Sequence, residues 1–264
     1  MRDAARIFDE DPELYDRVRP GHPEAMFDDL AALTGLGPGA RVLELGCGTG
    51  QATLPLARRG CAITAVELGP GLAAVARRKL VAFPAVEVVE AAFESWPLPP
   101  ESFDLVLAAT SFHWIDPAVR AVKAAAALRP GGALAVVSTH HVAGGTEEFF
   151  ALVRPCYERW MPGTPPGLRL QPAADVPGDE DELMRSGVFA RAVSRRYEWE
   201  LGHTTQEYLD LLRSYSSHRA LTPDARDGLF ACITRLMDGR FGGRIAKRTM
   251  TGLALVFTPT RPPP

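Results

Sequence analysis

No stretch of this 264-residue chain comes near the roughly 18 uninterrupted apolar residues of a membrane-crossing helix, so none is expected. The start, Met1-Arg2-Asp3-Ala4-Ala5-Arg6, is charged and leads into no apolar run, so no secretory signal is expected either. Cysteine is scarce. The four residues, Cys47, Cys61, Cys156 and Cys232, include no C-x-x-C pair, which argues against a zinc ribbon or a dithiol redox motif. A secreted disulfide framework needs more cysteines in a shorter chain, so a reduced, cytoplasmic protein is the simplest inference. Excess positive charge is also missing. With 29 Lys and Arg against 32 Asp and Glu the net charge is −3, and no broad basic field exists to hold nucleic acid or an anionic membrane. The short basic spots Arg195-Arg196 and Arg240–Arg244 read as solvated faces. His140-His141 is the nearest thing to a metal motif, but adjacent strand residues point to opposite faces and no metal site is expected.

What is present is ordinary globular material, 46% hydrophobic and 23% charged, enough for one large domain or one domain with a cap. After a polar, then helical, opening, short apolar runs alternate with helical stripes. Arg41–Leu45, Ala62–Val66, Val86–Val89, Phe103–Ala109 and Ala133–Ser138 read as buried strands. Helices fit residues 51–58, a segment opening at Gly69-Pro70, and one opening at Asp116-Pro117 with Asp as cap. Pro97–Pro100 reads as a loop. This alternation predicts βαβ units and one doubly wound, parallel α/β sheet. Beyond residue 145 the rhythm changes: a helix over 146–160, a long loop over 161–181, a sixth strand at about 192–200, helices near 205–215 and 223–238, a last strand at Gly252–Phe257, and a tail expected to fray.

The chemistry concentrates in Val42-Leu43-Glu44-Leu45-Gly46-Cys47-Gly48-Thr49-Gly50. A strand runs into a glycine-rich turn that opens a helix, which bares backbone N–H groups to a ligand. A dinucleotide fingerprint needs a third glycine three residues on, and Gln51 or Thr53 stands there instead; no Gly-Lys-Ser/Thr follows for a P-loop. A nucleoside site without a diphosphate cradle remains. Glu67, an acid at the end of the second strand, suits a ribose diol.

In order, Glu44–Gly50, Glu67, Phe103-Asp104-Leu105-Val106 and Leu128-Arg129-Pro130-Gly131-Gly132 make the sequence resemble a class I S-adenosylmethionine-dependent methyltransferase over about residues 40–138. Ser111–Asp116 and Tyr15-x-x-x-Arg19-Pro20 are similar to the trans-aconitate methyltransferase-like branch. The resemblance implies a seven-stranded Rossmann-like sheet with helical cap insertions, the last strand returning beside an antiparallel sixth. It divides the chain into an N-terminal cap arm (1–35), a cofactor-binding core (36–145), a cap region holding strand six (146–245) and a final strand with tail (246–264). The implied cofactor is S-adenosylmethionine. Gly46, Gly48 and Gly50 lie under its methionine part, with Cys47, a passive loop residue, and Thr49 in the same cofactor-binding turn; Glu44 draws its ammonium, Glu67 holds the ribose, and Leu68, Phe93 and Glu94 border the adenine. Ala109 and Thr110 line it from the fourth strand. Many relatives carry an Asp before the position of Phe93; this chain has Ala92. His113 is the candidate base by position, with Trp114 beside it, and Tyr15 and Arg19 come over the site, Arg19 suited to an acidic group. The implied partner is a small-molecule methyl acceptor, with the protein a monomer or homodimer. A non-catalytic binder of the cofactor and a nicotinamide oxidoreductase stand as alternatives. The aromatic set Phe149, Phe150, Tyr157 and Trp160 suits either a pocket or a buried helix face.

Overall fold

The computed structural model describes residues 7–99, 101–167 and 169–260. The charged start, the last proline of the Pro97–Pro100 loop and the tail expected to fray fall outside them.

A 3-10 turn at Ile7–Glu10 leads into α1 (Pro12–Val18), capped by Asp11, whose carboxylate accepts the Leu14 N–H at 2.9 Å. α2 (Glu24–Thr34) buries Met26, Phe27 and Leu30 completely. Then β1 (Arg41–Leu45), α3 (Thr53–Arg58), β2 (Ala62–Glu67), α4 (Pro70–Lys79), β3 (Val86–Glu90) and β4 (Phe103–Ala109) follow with short connections. Next come α5 (Arg120–Ala127), β5 (Leu128–Gly145), α6 (Glu147–Leu152), α7 (Arg154–Trp160) and α8 (Glu180–Arg185). The chain closes with β6 (Arg191–Thr204), α9 (Thr205–Arg213), α10 (Ser216–Arg219), α11 (Pro223–Arg240) and β7 (Arg244–Phe257).

The seven strands form one sheet in the order β3-β2-β1-β4-β5-β7-β6. The first five run parallel, and β7 lies antiparallel between β5 and β6. Alternation sorts the strand residues into two layers. Val42, Ile63, Leu105, Ala135 and Leu255 pack with Phe27, Leu56 and Ala76 on one face. Leu43, Val66, Val106, Val136 and Val256 pack with Ala124, Ala127 and Leu183 on the other. Within the segment 1–35, α2 thus belongs to a sheet-covering layer, while Ile7–Glu10 and α1 lie over the strand ends. Reversal of strand order between β1 and β4 opens a crevice at their carboxyl ends.

Several expectations shift. Asp116-Pro117 opens a turn, not a helix: the Asp116 carboxylate accepts from Ala118 N at 2.9 Å, and α5 begins at Arg120. Pro130-Gly131-Gly132 does not separate helix from strand, because β5 already pairs at Leu128 and runs to Gly145. Residues 146–160 break at Val153, where Pro155 restarts the helix as a residue of its first turn. The loop over 161–181 holds a 3-10 turn at Ala173–Asp175 and the start of α8. Most consequential, β6 and β7 are each 14 residues long and paired from Arg191↔Phe257 to Thr204↔Arg244, so the last strand starts well before Gly252.

The cap has its own core: Phe149, Val153 and Cys156 against Tyr208, Leu212, Leu229, Ile233 and Met237. Within it Cys156 and Cys232 are joined by a disulfide between α7 and α11. This corrects the expectation of a fully reduced chain. The fold brings the two sulfurs together across 76 residues, a pairing that carries no spacing signature. Cys47 and Cys61 are free and buried.

Candidate functional site

Glu67 closes β2 and ties the crevice together. Its Oε2 accepts the Gly48 N–H and its Oε1 accepts the Gly69 N–H, both at 2.8 Å, so one carboxylate clamps the turn after β1 to the turn after β2. Burial pushes its pKa up, and the bonds from Gly69 and Gly48 oppose that rise. Leu68 N–H adds to the same effect, and the two oxygens together keep accepting capacity beyond these backbone partners.

The turn between β1 and α3 needs its first glycine on two counts. Gly46 sits at φ +68°, and a Cβ there would come within 2.7 Å of the Ser111 Cβ. Ser111 is itself fixed by donating to the Leu45 carbonyl. Gly46→Ala should therefore cost roughly 1–3 kcal/mol, as other strained backbone positions do. A urea midpoint equal to that of the parent protein would contradict this packing. Across the crevice Thr110 is left-handed at φ +56°, an uncommon state for a β-branched residue, with its N–H held by the Val137 carbonyl at 2.8 Å.

A cavity of about 640 Å³ opens from this crevice. Gly46, Gly48, Glu67 and Leu68 form one wall; Phe93, Glu94, Ala109 and Thr110 form the next. His113 and Trp114 stand at its side, and Tyr15 and Arg19 close it from α1 and the residue after it. A smaller recess of about 70 Å³ adjoins the same glycines and holds Glu44 and Cys47. Thr49 and Gly50 do not reach either space. Thr49 is fully buried and accepts from Gln51 Nε2 at 2.7 Å, while the open face of Gly50 meets Leu80.

Glu44 is the buried acid of β1. Burial raises its pKa to about 7 against an opposing pull from the Thr53 side chain, the Glu67 charge adds to the rise, and its Oε2 has no hydrogen-bond partner. The Cys47 thiol is pushed well up by burial and by both acids, so the start of a helix does not activate it. His113 has its pKa lowered by burial and by Arg120, which leaves it neutral at pH 7. Arg19 lies among rings, 4.6 Å from the Tyr215 centroid and 5.0 Å from that of Tyr15, and donates to the Ser214 carbonyl at 2.8 Å. Its Nε is buried without a partner.

The far wall escaped the sequence. Thr139 and His141 of β5, Lys247 and Thr249 of β7, and Leu201 and His203 of β6 all line the cavity. His141 pairs with Thr249, and Leu201 with Lys247, which puts all six on one sheet face. The alternation Lys247-x-Thr249-x-Thr251 was the available signal, hidden by its polarity. Tyr157, Tyr215 and His218 come from the cap; the Tyr157 hydroxyl and His218 Nε2 are 3.3 Å apart. Of the aromatic set on 146–160, only Tyr157 faces the cavity; Phe149 is core. Among the described residues, no three His, Cys, Asp or Glu side chains cluster as a metal site.

Residues 43–136 match the methyltransferase domain family. An uncharacterized methyltransferase of Mycobacterium tuberculosis is 37% identical over 136 residues, 52% of this chain and 53% of that one. A trans-aconitate 2-methyltransferase of Paracidovorax citrulli is 35% identical over 139 residues, 49% of this chain and 50% of that one. The chain thus spans about half the length of the curated relatives it matches. Among solved structures, a putative type II methyltransferase from Anaeromyxobacter dehalogenans superimposes with a TM-score of 0.61 at 24% identity, covering 91% of this chain and 97% of that one, a likeness of fold.

Proposed function

We propose that this chain, a class I methyltransferase by its domain over residues 43–136, binds S-adenosylmethionine in the crevice and transfers the methyl group to a small-molecule acceptor under the cap. The observation that carries this reading is the single cavity that joins the Gly46–Gly48 turn and Glu67 to the cap residues. The residues fit the cofactor. An unpartnered buried carboxylate oxygen on Glu44 suits an ammonium, and a clamped carboxylate with free lone pairs on Glu67 suits a diol.

When bound, the cofactor supplies a methyl group on a sulfonium centre, already activated for in-line displacement. Glu67 accepts the ribose hydroxyls. Leu68, Phe93 and Glu94, which line the cavity, would hold the adenine, and Ala92 stands where many relatives carry an Asp. The chain mainly aligns the reactants and excludes water, which Tyr15 and Arg19 do by covering the glycine turn. His113, neutral at pH 7, takes the proton of a hydroxyl or amine acceptor; a carboxylate acceptor needs no base.

Calorimetric titration with S-adenosylhomocysteine tests this reading. Binding is expected, and it should weaken as pH falls from 8 to 6. Glu44, with its pKa near 7, takes up a proton there and loses its attraction for the ammonium, by up to about tenfold per pH unit for one linked proton. In the ligand-free protein the sign is opposite: a raised acid pKa means the native state binds the extra proton, so stability falls as pH rises from about 4.5 to 7. Glu44→Gln should flatten the pH dependence of binding. No binding at high-micromolar ligand in folded protein would overturn the assignment.

A further inference from the structure

We propose that Lys247, His141 and His203 form an anion-binding subsite that seats a carboxylate or phosphate group of the acceptor, an anchoring group and not its reacting atom. This rests on the methyltransferase reading for the word acceptor, while the subsite itself rests on geometry.

Three strands supply it, and their register places it. β7 carries Lys247 and Thr249, β5 brings His141 opposite Thr249, and β6 brings Leu201 opposite Lys247 with His203 two residues on. All lie on the cavity wall. β7 stands two strands beyond β4 in the sheet, roughly 10 Å at ordinary strand spacing from the Thr110 edge of the crevice. That distance separates an anchor from the place where the cofactor binds.

The chemistry of this wall is one-sided. Among the described residues the carboxylates lining the cavity are Glu67 and Glu94, both on the β2–β3 side, and neither pairs with Lys247. Lys247 Nζ donates to the Tyr215 hydroxyl at 3.0 Å, which leaves two of its three donors. His141 Nε2 and His203 Nε2 are both buried and both lack a hydrogen-bond partner. A buried polar nitrogen without a partner is costly, and two of them on residues that line one cavity wall with the Lys247 ammonium favour a ligand with acceptor oxygens. Burial, and secondarily the Lys247 charge, lower the pKa of both imidazoles, so each is neutral at pH 7 and carries one N–H. Arg19 adds a second cation to the lining: its guanidinium lies 4.6 Å from the centroid of the same Tyr215 ring that Lys247 Nζ approaches to 5.4 Å, and its buried Nε is likewise unpartnered. The one acid near His203 is Glu207, which is exposed and occupied in capping Thr204. A neutral ligand would leave Lys247 and Arg19, both packed on Tyr215, without a counter-charge; an anion supplies one.

The test titrates the protein saturated with S-adenosylhomocysteine with inorganic phosphate, with succinate and with uncharged succinamide. At least one anion should bind, and succinamide should not. Lys247→Met should weaken the anion by about tenfold or more, the scale of a lost charged hydrogen bond. His141→Phe and His203→Phe should weaken it by several-fold. S-adenosylhomocysteine affinity in Lys247→Met should stay within about twofold of the parent, as expected for distant sites, which certifies the fold. Tighter phosphate than succinate assigns a phosphorylated acceptor, and the reverse assigns a carboxylic acid. Anions that bind no better than succinamide, or that bind Lys247→Met as well as the parent, would overturn the subsite. Should S-adenosylhomocysteine fail to bind, the methyltransferase reading falls, and the same titrations on the free protein still decide the subsite.

Discussion

Glu67→Ala should weaken S-adenosylhomocysteine binding by roughly 2–4 kcal/mol, the combined scale of a lost charged hydrogen bond to the ligand and a loosened turn. The two parts separate by a second substitution. Both carboxylate oxygens accept a backbone N–H, from Gly48 and from Gly69. A glutamine has only one acceptor oxygen, so its amide NH2 would point at one of those N–H donors. Glu67→Gln should therefore lose nearly as much affinity as Glu67→Ala, although it keeps the shape and could still bond a ribose hydroxyl. Calorimetry reads both. A glutamine variant with parental affinity would mean that the clamp on Gly48 and Gly69 is dispensable, and an alanine variant with parental affinity would remove Glu67 from the ligand site.

Removing the Cys156–Cys232 bond should lower stability by about 4 kcal/mol, from the chain entropy of a loop of this length. The double variant Cys156→Ala/Cys232→Ala, or the parent with reductant, should show a lower urea midpoint. The effect should be local to the cap. Cys156 precedes Tyr157 on α7, and Tyr157 faces the cavity, whereas the Glu67 clamp lies on the far side of the sheet order. Hydrogen exchange should rise in α7 and α11, with S-adenosylhomocysteine affinity little changed. A midpoint indifferent to reductant would show that the bond does not contribute.

The parallel half of the sheet was legible almost residue by residue. Arg41–Leu45 and Phe103–Ala109 are buried on both faces, so each reads as an unbroken apolar run ending at a glycine or polar turn. The crevice residues were legible for the same reason: Gly46, Glu67 and Thr110 stand where such runs stop. Of the antiparallel half, the parts of β6 at about 192–200 and of β7 at Gly252–Phe257 were legible, and the rest was not. The outer parts of β5, β6 and β7 carry His141, His203, Lys247 and Thr249 toward a cavity and arginines toward solvent, so neither face shows the apolar alternation that marks a strand. Asp116-Pro117 misled because the same two residues favour a turn and a helix start alike. The disulfide was invisible because only the docking of α7 on α11 brings its halves together.

The ladder between β6 and β7 runs without interruption from Arg191↔Phe257 in the central sheet to Thr204↔Arg244 beneath α9. It acts as a beam that joins floor to roof, and ties the start of α9 and the end of α11 to the central sheet. The N-terminal segment is held over the chamber by separate side-chain contacts instead, Asp9 accepting the Leu72 N–H and Arg19 donating to the Ser214 carbonyl. Such latches release one at a time, whereas a fourteen-residue ladder does not.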